Sequence, residues 1–252
     1  MQKSPVFSII TVTFNAEKVL ERTILSVLNQ TYGDIEYIIV DGASKDGTKQ
    51  IIRQYEAGIR IWVSEPDQGL YDAMNKGLRV ATGDYLWFLN AGDVLQQSHI
   101  VADVAKVAER HGYPDILYGE TDLMNLSGHI IAERRLKAPR NLTWKSFRMG
   151  MLVCHQAFVA KRSIAPVYDL SYRFSADFDW CIRCLKASKT VVNTRQRLVY
   201  YLYEGLTTAN RKLSLKERYA IMCENYGVIP TQIRHIWFAV RFYYARLFKK
   251  NS

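Results

Sequence analysis

Hydrophobic residues along the first hundred positions alternate between two spacings. Short apolar runs rich in β-branched and aromatic residues (FSIITVT, EYIIV, RIWVS and DYLWFL) predict four buried strands. Between them, apolar residues recur at helical spacing in AEKVLERTILSVLNQ, KQIIRQYEA and LYDAMNKGLRVA. This alternation of strands and helices predicts right-handed crossovers and an α/β fold, with a mostly parallel, Rossmann-like sheet and helices on both faces.

The second half of the chain has a less regular pattern. A helix from Ser98, as its N-cap, to about His111 is followed by a possible hairpin of DILYGETDLMN and HIIAERR around LSG. The segments CHQAFVAKR and TVVNTRQRLVYYLY predict strands on either side of a helix, SADFDWCIRCLKAS. Two further helices, at about 214–225 and 230–250, are expected to end the chain.

Composition favours one domain followed by a basic tail. Hydrophobic residues make up 48% of the 252 residues, enough for a large core. We expect a single domain over residues 1–210, with halves 1–97 and 98–210. The formal net charge is +10, and residues 211–250 hold nine Lys or Arg against two Glu. Such a basic tail suits an anionic membrane surface, a nucleic acid or a phosphate-bearing substrate.

The last helix, in IWFAVRFYYARLFKK, predicts an amphipathic surface within residues 233–250. It carries too many charges to span a bilayer, but aromatic and basic residues suit an interfacial helix. The alternative is that the same face packs on the protein's own core. Its apolar side holds Ile236, Val240, Tyr243 and Leu247, with Trp237 and Tyr244 at the margin. Because the N-terminus is too polar for a signal peptide, we expect a cytoplasmic protein.

Polar residues follow all four strands of the first half. Each has a local alternative explanation, such as a turn for Asp41, a helix N-cap for Asp93 or a core position for Phe14. Because the carboxyl ends of parallel strands meet at one edge of a sheet, four such ends together predict a ligand site. The residues are Thr13, Phe14, Asp41, Asp67, Asn90 and Asp93.

Common phosphate-binding loops are absent from the sequence. No G-x-G-x-x-G follows the first strand, and no G-x-x-x-x-G-K-[ST] occurs anywhere. A divalent cation, Mg²⁺ or Mn²⁺, held by one or two carboxylates is the usual alternative for binding a substrate's phosphates. Asp93 is the predicted ligand, and Asn90 can add a carbonyl oxygen.

The segments SIITVTFN, VLNQTYGDIEYIIVDGASKDGT and SEPDQGLYDAMNKGLRVATGDYLWFLNAGD resemble glycosyltransferase family 2. The resemblance is dense over residues 7–95, patchier to about 208, and includes CHQAFV and SADFDW. It is closest to small bacterial enzymes that build capsular, O-antigen or exopolysaccharide units. The resemblance implies a GT-A fold, with a nucleotide-sugar-binding half over 1–97 and an acceptor-side half over 98–210.

The resemblance also implies an inverting, metal-dependent activity. The donor is expected to be a nucleoside-diphosphate sugar, linked to UDP by family preference. The acceptor is expected to be a glycan or a polyprenyl-diphosphate-linked saccharide. Such acceptors place the enzyme at the inner face of the cytoplasmic membrane, and no nucleic acid is expected as a partner.

Individual roles follow from the positions that match the family. Thr13 and Phe14 would border the nucleobase, Asp41 would accept a hydrogen bond from a base N–H, and Asp67 would contact the nucleoside. Asp93 matches the last carboxylate of the family's D-x-D-type metal motif.

Two departures from the family pattern stand out. Gly42 replaces a frequent second acid, and NAGD is less acidic than the usual metal motif. We therefore expect weak metal binding that the donor's diphosphate completes.

The acceptor side supplies the candidate base. Residues two apart on a helix face different sides, so only one of Asp177 and Asp179 is expected to face the site. The resemblance implies Asp177, the acid of the family's E-D-like motif, as the catalytic base, with Asp179 as the runner-up. A helix N-terminal acid is the structural alternative for both. His155 and Gln156 are predicted to contact the acceptor or the sugar, with a buried, hydrogen-bonded histidine as the alternative. Arg211 and Lys212 are placed, by position and charge alone, as cations that close on the diphosphate.

Two other functions compete with this prediction. A nucleotidyltransferase would show a Gly-rich, basic loop after the first strand, which TVTFNAEK does not match. A catalytically weak or inactive GT-A-like protein that binds a membrane surface or nucleic acid would explain the net charge and the depleted NAGD motif. It would not explain why Asp41, Asp67 and Asp93 gather at one predicted edge.

Overall fold

The computed structural model describes residues 4–203 and 210–248, with the side chains of all but 211 and 241–248. Its strands are β1 (Phe7–Thr13), β2 (Ile35–Asp41), β3 (Ile61–Ser64), β4 (Tyr85–Phe88), β5 (Val94–Leu95), β6 (Ile116–Met124), β7 (Ile130–Glu133), β8 (Phe158–Lys161) and β9 (Val191–Leu202). Its α-helices are α1 (Leu20–Leu28), α2 (Thr48–Gln54), α3 (Leu70–Val80), α4 (Ile100–Arg110), α5 (Ala176–Ala187), α6 (Arg211–Tyr226) and α7 (Val228–Phe248).

The strands within the described residues form one sheet in the order β3-β2-β1-β4-β8-β6-β9-β5, with β7 paired to β6. The first four strands are parallel, as predicted, and Thr13 lies beside Asp41, which lies beside Ser64. Beyond β4 the sheet is mixed, since β8 runs antiparallel to both β4 and β6 while β9 runs parallel to β6. Both predicted halves of the chain therefore contribute to a single sheet.

Several predicted boundaries change in the structure. The helix α4 begins at Ile100 with His99 at its N-cap, so the expected Ser98 cap is wrong. The Ser98 carbonyl instead accepts a hydrogen bond from the Thr31 N–H. The start of CHQAFVAKR is a 3-10 turn over His155–Ala157, and only Phe158–Lys161 is strand. The predicted hairpin is present as the antiparallel pair β6 and β7.

Helices cover both faces of the sheet, and successive residues of one strand enter different cores. On one face, Ile10 and Phe88 pack in a cluster that includes residues of α3 and α5. On the other face, Ile9 and Trp87 pack with residues of α1 and α4. The period-2 alternation of a strand therefore places two apolar layers around β1 and β4. None of the helices in the described part of the chain has the length and hydropathy of a membrane span.

Glu36 joins three strands at the amino ends of β1, β2 and β4. Its carboxylate accepts hydrogen bonds from Ser8 Oγ at 2.5 Å, from Thr82 N at 2.8 Å and Oγ1 at 2.6 Å, and from Gly83 N at 3.2 Å. Burial alone would raise the pKa of Glu36, but these hydrogen bonds outweigh it and lower the pKa below its ordinary value. The folded chain therefore stabilises the ionised form of Glu36 more than the unfolded chain does.

We expect Glu36→Gln to lower the free energy of unfolding by about 1–2 kcal/mol at pH 7. Because the folded pKa is depressed, the contribution of Glu36 is present above its unfolded pKa of 4.5 and is lost as pH falls through the folded value. Urea unfolding at a series of pH values measures the difference. Glu109→Gln, at an exposed position, is the control. A difference from wild type that stays constant down to pH 3 would contradict the prediction.

Candidate functional site

A cleft of about 1640 Å³ opens where the carboxyl ends of β1 and β4 meet residues of the second half of the chain. The parallel register brings these ends together because each crossover helix returns the chain to the same side of the sheet. Of the residues predicted to bind the nucleotide, the metal or the acceptor or to act as the base, all but Asp41 line the cleft, namely Thr13, Phe14, Asp67, Asn90, Asp93, His155, Gln156 and Asp177.

The end of the cleft near β1 combines an exposed ring with polar groups. Phe14 is 62% exposed, and Thr13 Oγ1 is buried without a hydrogen-bond partner in the described residues. A Cβ added at Gly42 would lie 2.4 Å from Asp67 Oδ2 and 3.3 Å from Phe14 Cδ2. Asp67 therefore occupies the room that a side chain at position 42 would need, which gives a physical reason for the glycine there.

Asp41 lies beneath the cleft and does not line it. The residue is fully buried, and its Oδ2 accepts hydrogen bonds from Ser44 N at 3.0 Å and Ser64 Oγ at 2.6 Å. Its Oδ1 accepts one from Ser44 Oγ, which in turn accepts one from Asn15 N at 2.7 Å. In this conformation Asp41 holds the backbone next to Phe14. The predicted contact between Asp41 and a nucleobase stays a prediction.

Asp93 is 2% exposed and lies in the turn after β4. Its Oδ1 accepts a hydrogen bond from Leu202 N at 2.8 Å, and its Oδ2 accepts one from Gln156 Nε2 at 2.8 Å. Burial raises the pKa of Asp93 to about 7, and these hydrogen bonds and the charge of Arg22 offset only part of that effect. A cation beside Asp93 would favour its ionised form.

The donor atoms present fit a weak divalent-cation site. Asn90 Oδ1 is buried and has no hydrogen-bond partner among the described residues, so it is free to coordinate. The described residues hold no group of three or more His, Cys, Asp or Glu that could bind a metal. One carboxylate and one amide oxygen leave most of a Mg²⁺ or Mn²⁺ shell to water and phosphate oxygens, which is how Mg²⁺ commonly binds.

The two acids of SADFDW face different surroundings. Asp177 is partly exposed and lines the cleft, and its Oδ1 accepts a hydrogen bond from the Tyr71 hydroxyl at 3.0 Å. Asp179 is 7% exposed, lies outside this cleft and pairs with Arg183 Nε at 2.6 Å. The structure thus brings only Asp177 to the other predicted residues, while its role as a base stays a prediction.

His155 and Gln156 are buried in the wall of the cleft. His155 Nε2 lies 2.7 Å from the Tyr168 hydroxyl, and burial lowers the pKa of His155 to about 4, so its ring is neutral at neutral pH. Gln156 spans two partners, donating to Asp93 and accepting from the Cys154 thiol at 3.0 Å. Gln156 therefore orients Asp93, a contact that the sequence alone did not indicate.

The cations of the cleft differ from those expected. Lys212 is exposed and does not line the cleft, and the side chain of Arg211 lies outside the described residues. Instead, the cleft is lined by Lys216 and Arg218 of α6, by Arg173 before α5, and by Arg134, the residue directly after β7. Leu213, Lys216, Glu217 and Ala220 share one side of α6 through their i, i+3, i+4, i+7 spacing, but no pattern of residue types marks that side in the sequence.

Arg134 ties together the chain segments that border the cleft. Its Nη1 donates to the carbonyls of Leu136 at 3.2 Å and Leu152 at 2.9 Å, and its Nη2 donates to that of Met151 at 2.5 Å. These bonds hold residues 150–153 beside the turn that carries His155. No motif in the sequence pointed to Arg134.

Comparison with known proteins decides the family. The sequence profile described as Glycosyl transferase family 2 matches residues 8–164. The chain belongs to glycosyltransferase family 2. A PGL/p-HBAD biosynthesis glycosyltransferase of Mycobacterium tuberculosis is 37% identical over 191 residues, covering 72% of this chain and 70% of the relative. The putative teichuronic acid biosynthesis glycosyltransferase TuaG of Bacillus subtilis is 26% identical over 231 residues, covering 87% and 88%.

Solved structures confirm the predicted GT-A fold of this family 2 chain. Residues 1–349 of S. aureus TarS superpose with a TM-score of 0.70 at 15% identity, covering 92% of this chain and 72% of that one. The mannosyltransferase PcManGT of Pyrobaculum calidifontis, solved with GDP-Man and Mn²⁺, gives 0.62 at 16% identity, covering 94% and 76%. The protein is therefore a glycosyltransferase whose relatives act in polysaccharide or glycolipid biosynthesis.

Proposed function

We propose that this glycosyltransferase transfers a sugar with inversion from a nucleoside-diphosphate sugar to a glycan or a polyprenyl-diphosphate-linked acceptor. The observation that carries the proposal is the convergence of Asp177 with Thr13, Phe14, Asp67, Asn90 and Asp93 on one cleft. TarS has been solved with UDP-GlcNAc, and PcManGT with GDP-Man. UDP is the first nucleotide to test, since the resemblance favours it.

In the proposed reaction Asp177 acts as general base. Its carboxylate takes the proton of the acceptor hydroxyl while the hydroxyl oxygen forms a bond to the anomeric carbon. The bond from that carbon to the β-phosphate oxygen breaks, and its electron pair leaves with the nucleoside diphosphate. A single displacement of this kind inverts the anomeric configuration.

The opposite side of the cleft serves the leaving group. Phe14 offers a flat apolar face to the base, and Asp67 lies beside it to contact the nucleoside. Asp93 and Asn90 would hold a divalent cation, Mg²⁺ or Mn²⁺, which supplies positive charge next to the departing diphosphate. Gln156 keeps the Asp93 carboxylate in place for that purpose.

Calorimetric titration with UDP, GDP, CDP and dTDP, each with and without Mn²⁺, tests the proposal. We expect one nucleotide to bind, and Mn²⁺ to strengthen its binding. The sugar nucleotides of that base are then tested for turnover. If none of the four nucleotides binds, the proposal fails and the alternative of an inactive, basic surface-binding protein takes its place.

We further propose that α7 attaches the enzyme to an anionic membrane surface. Five apolar side chains at i, i+4, i+7, i+8 and i+11 are 46–70% exposed on one side of α7. They are Ile229, Ile233, Ile236, Trp237 and Val240, and we call them the α7 stripe. The alternative that this side packs on the core does not fit the exposure of these five residues. Tyr243, Leu247 and the other predicted members beyond residue 240 have side chains outside the described part.

Two charges placed in the α7 stripe should abolish membrane binding. We expect Ile233→Glu/Ile236→Glu to lose sedimentation with phosphatidylglycerol vesicles, because each charge opposes insertion of the apolar face. Gln232→Glu/Ala239→Glu, at exposed positions beside the stripe, adds the same charge and should retain most binding. Nucleotide affinity should be unchanged in both variants. If both variants lost vesicle binding equally, net charge would explain the binding, and a role for the α7 stripe would be contradicted.

A further inference from the structure

Tyr71 links the donor side of the cleft to the predicted base. It lies in the first turn of α3, four residues after Asp67, and its hydroxyl donates to Asp177 Oδ1 at 3.0 Å. Burial raises the pKa of the Tyr71 hydroxyl well above its ordinary value, and the negative charge of Asp177 raises it further. The hydroxyl therefore keeps its proton and serves as a donor.

The hydrogen bonds to Asp177 are uneven between its two oxygens. Oδ1 accepts from the Tyr71 hydroxyl and also from the Phe178 N–H at 2.9 Å. In the part of the chain that the structure describes, no hydrogen bond reaches Oδ2. One oxygen is thus held in place, while the other has no donor among the described residues.

The Tyr71 ring is itself held by a column of aromatic rings. It stacks on Tyr168, with centroids 5.7 Å apart and planes at 21°, and Tyr168 stacks on Trp180 at 5.1 Å and 13°. Asn75, on the same helix as Tyr71, donates to the Tyr168 carbonyl at 2.9 Å and accepts from the Tyr168 N–H at 2.7 Å. Because the rings and the backbone are both tied, the Tyr71 oxygen is held beside Asp177.

We propose that Tyr71 is a positioning residue for the transfer reaction. By donating a hydrogen bond to Oδ1, it holds Asp177 with Oδ2 towards the acceptor hydroxyl. The inference rests on the proposed function of Asp177 as the base. In this proposal Tyr71 affects turnover only through its hydrogen bond to the Asp177 carboxylate.

Titratable side chains surround Asp177. They are Tyr71, Cys154, His155, Tyr168, Cys181 and Tyr201. Burial lowers the pKa of His155 to about 4 and raises those of the tyrosine and cysteine side chains. Because a carboxylate ordinarily titrates at about pH 4 as well, the test of Tyr71 uses kcat, the nucleotide Kd and a double-mutant cycle rather than a pH profile.

Tyr71→Phe tests the inference because it keeps the ring stack and removes only the hydroxyl. Turnover is measured as nucleoside diphosphate released from the sugar nucleotide that the titrations identify, with water as acceptor. We expect kcat to fall roughly tenfold to a hundredfold. We also expect the nucleotide Kd to be unchanged. Tyr85→Phe is the matched control, since Tyr85 is buried and donates to the Pro114 carbonyl at 2.7 Å in the other core.

A double-mutant cycle separates positioning from simple loss of stability. In an Asp177→Asn background, Tyr71→Phe should cause no further loss of turnover, because it acts only through Asp177. The inference is overturned if Tyr71→Phe matches Tyr85→Phe in kcat, or if its loss adds fully to that of Asp177→Asn. If Asp177→Asn itself keeps wild-type turnover, the proposed base is wrong and the inference fails with it. Thermal melting of each variant confirms that the folded protein is compared.

Discussion

Asp177→Asn is expected to lower kcat by about a hundredfold to ten-thousandfold, the range for loss of a general base. Asparagine has nearly the same shape as aspartate, but its amide cannot take the proton of the acceptor hydroxyl. Its oxygen can still accept the hydrogen bonds that Tyr71 and Phe178 now give to Oδ1. The nucleotide Kd should be unchanged, because the loss is confined to the chemical step. Steady-state turnover and calorimetric titration of the same preparation measure the two quantities.

Asp179→Asn is the matched control for this substitution. It makes the same chemical change two residues away, outside the cleft that Asp177 lines, where Asp179 pairs with Arg183. We expect a lower free energy of unfolding, because the side chain is buried and loses its charge pair, while kcat stays near wild type. If Asp179→Asn lost turnover and Asp177→Asn kept it, the assignment of the base would have to be exchanged.

Asp93→Asn is expected to remove the Mn²⁺-dependent part of nucleotide binding. Asp93 supplies the one carboxylate of the proposed cation site, and its loss leaves only neutral oxygens for a hard cation. We expect the Kd measured with Mn²⁺ to rise at least about tenfold, to the value measured without metal. Asparagine retains an oxygen for the Leu202 N–H or the Gln156 amide, so the turn after β4 keeps part of its support.

Asp34→Asn is the control for the Asp93 substitution, because Asp34 is exposed in the loop before β2. Its nucleotide titrations should match those of wild type with and without Mn²⁺. A Mn²⁺ effect that survives in Asp93→Asn would show that the cation is held elsewhere or only by the nucleotide. The metal role of Asp93 and Asn90 would then be wrong, whereas the nucleotide role of Phe14 and Asp67 would be unaffected.

Much of the site could be predicted from strand ends alone. In a parallel sheet, every strand that enters from a crossover helix ends at the same edge, so Thr13, Asn90 and Asp93 had to lie near one another once β1 and β4 were recognised. Helical geometry likewise implied that Asp177 and Asp179 face different sides, and the structure places them so. These expectations succeeded because they depend only on how side-chain directions repeat along a single strand or helix.

Other features depend on contacts between distant segments, which no local pattern encodes. Asp41 follows β2 as expected, yet Ser44 and Ser64 enclose its carboxylate beneath the cleft. Gln156 meets Asp93, and Tyr71 meets Asp177, across 63 and 106 residues of chain. Side chains that fill the space between two elements can be recognised only when both elements are in place.

The sequence by itself determined the parallel α/β half, the edge at which its polar residues collect and the family to which the chain belongs. The tertiary structure alone decided which acid enters the cleft, which cations line it and which hydrogen bonds orient its carboxylates. The physical reason is the distance along the chain over which the deciding interactions act. Strand and helix periods act over a few residues, whereas a carboxylate's ionisation and direction are set by burial and by donors brought from elsewhere in the fold.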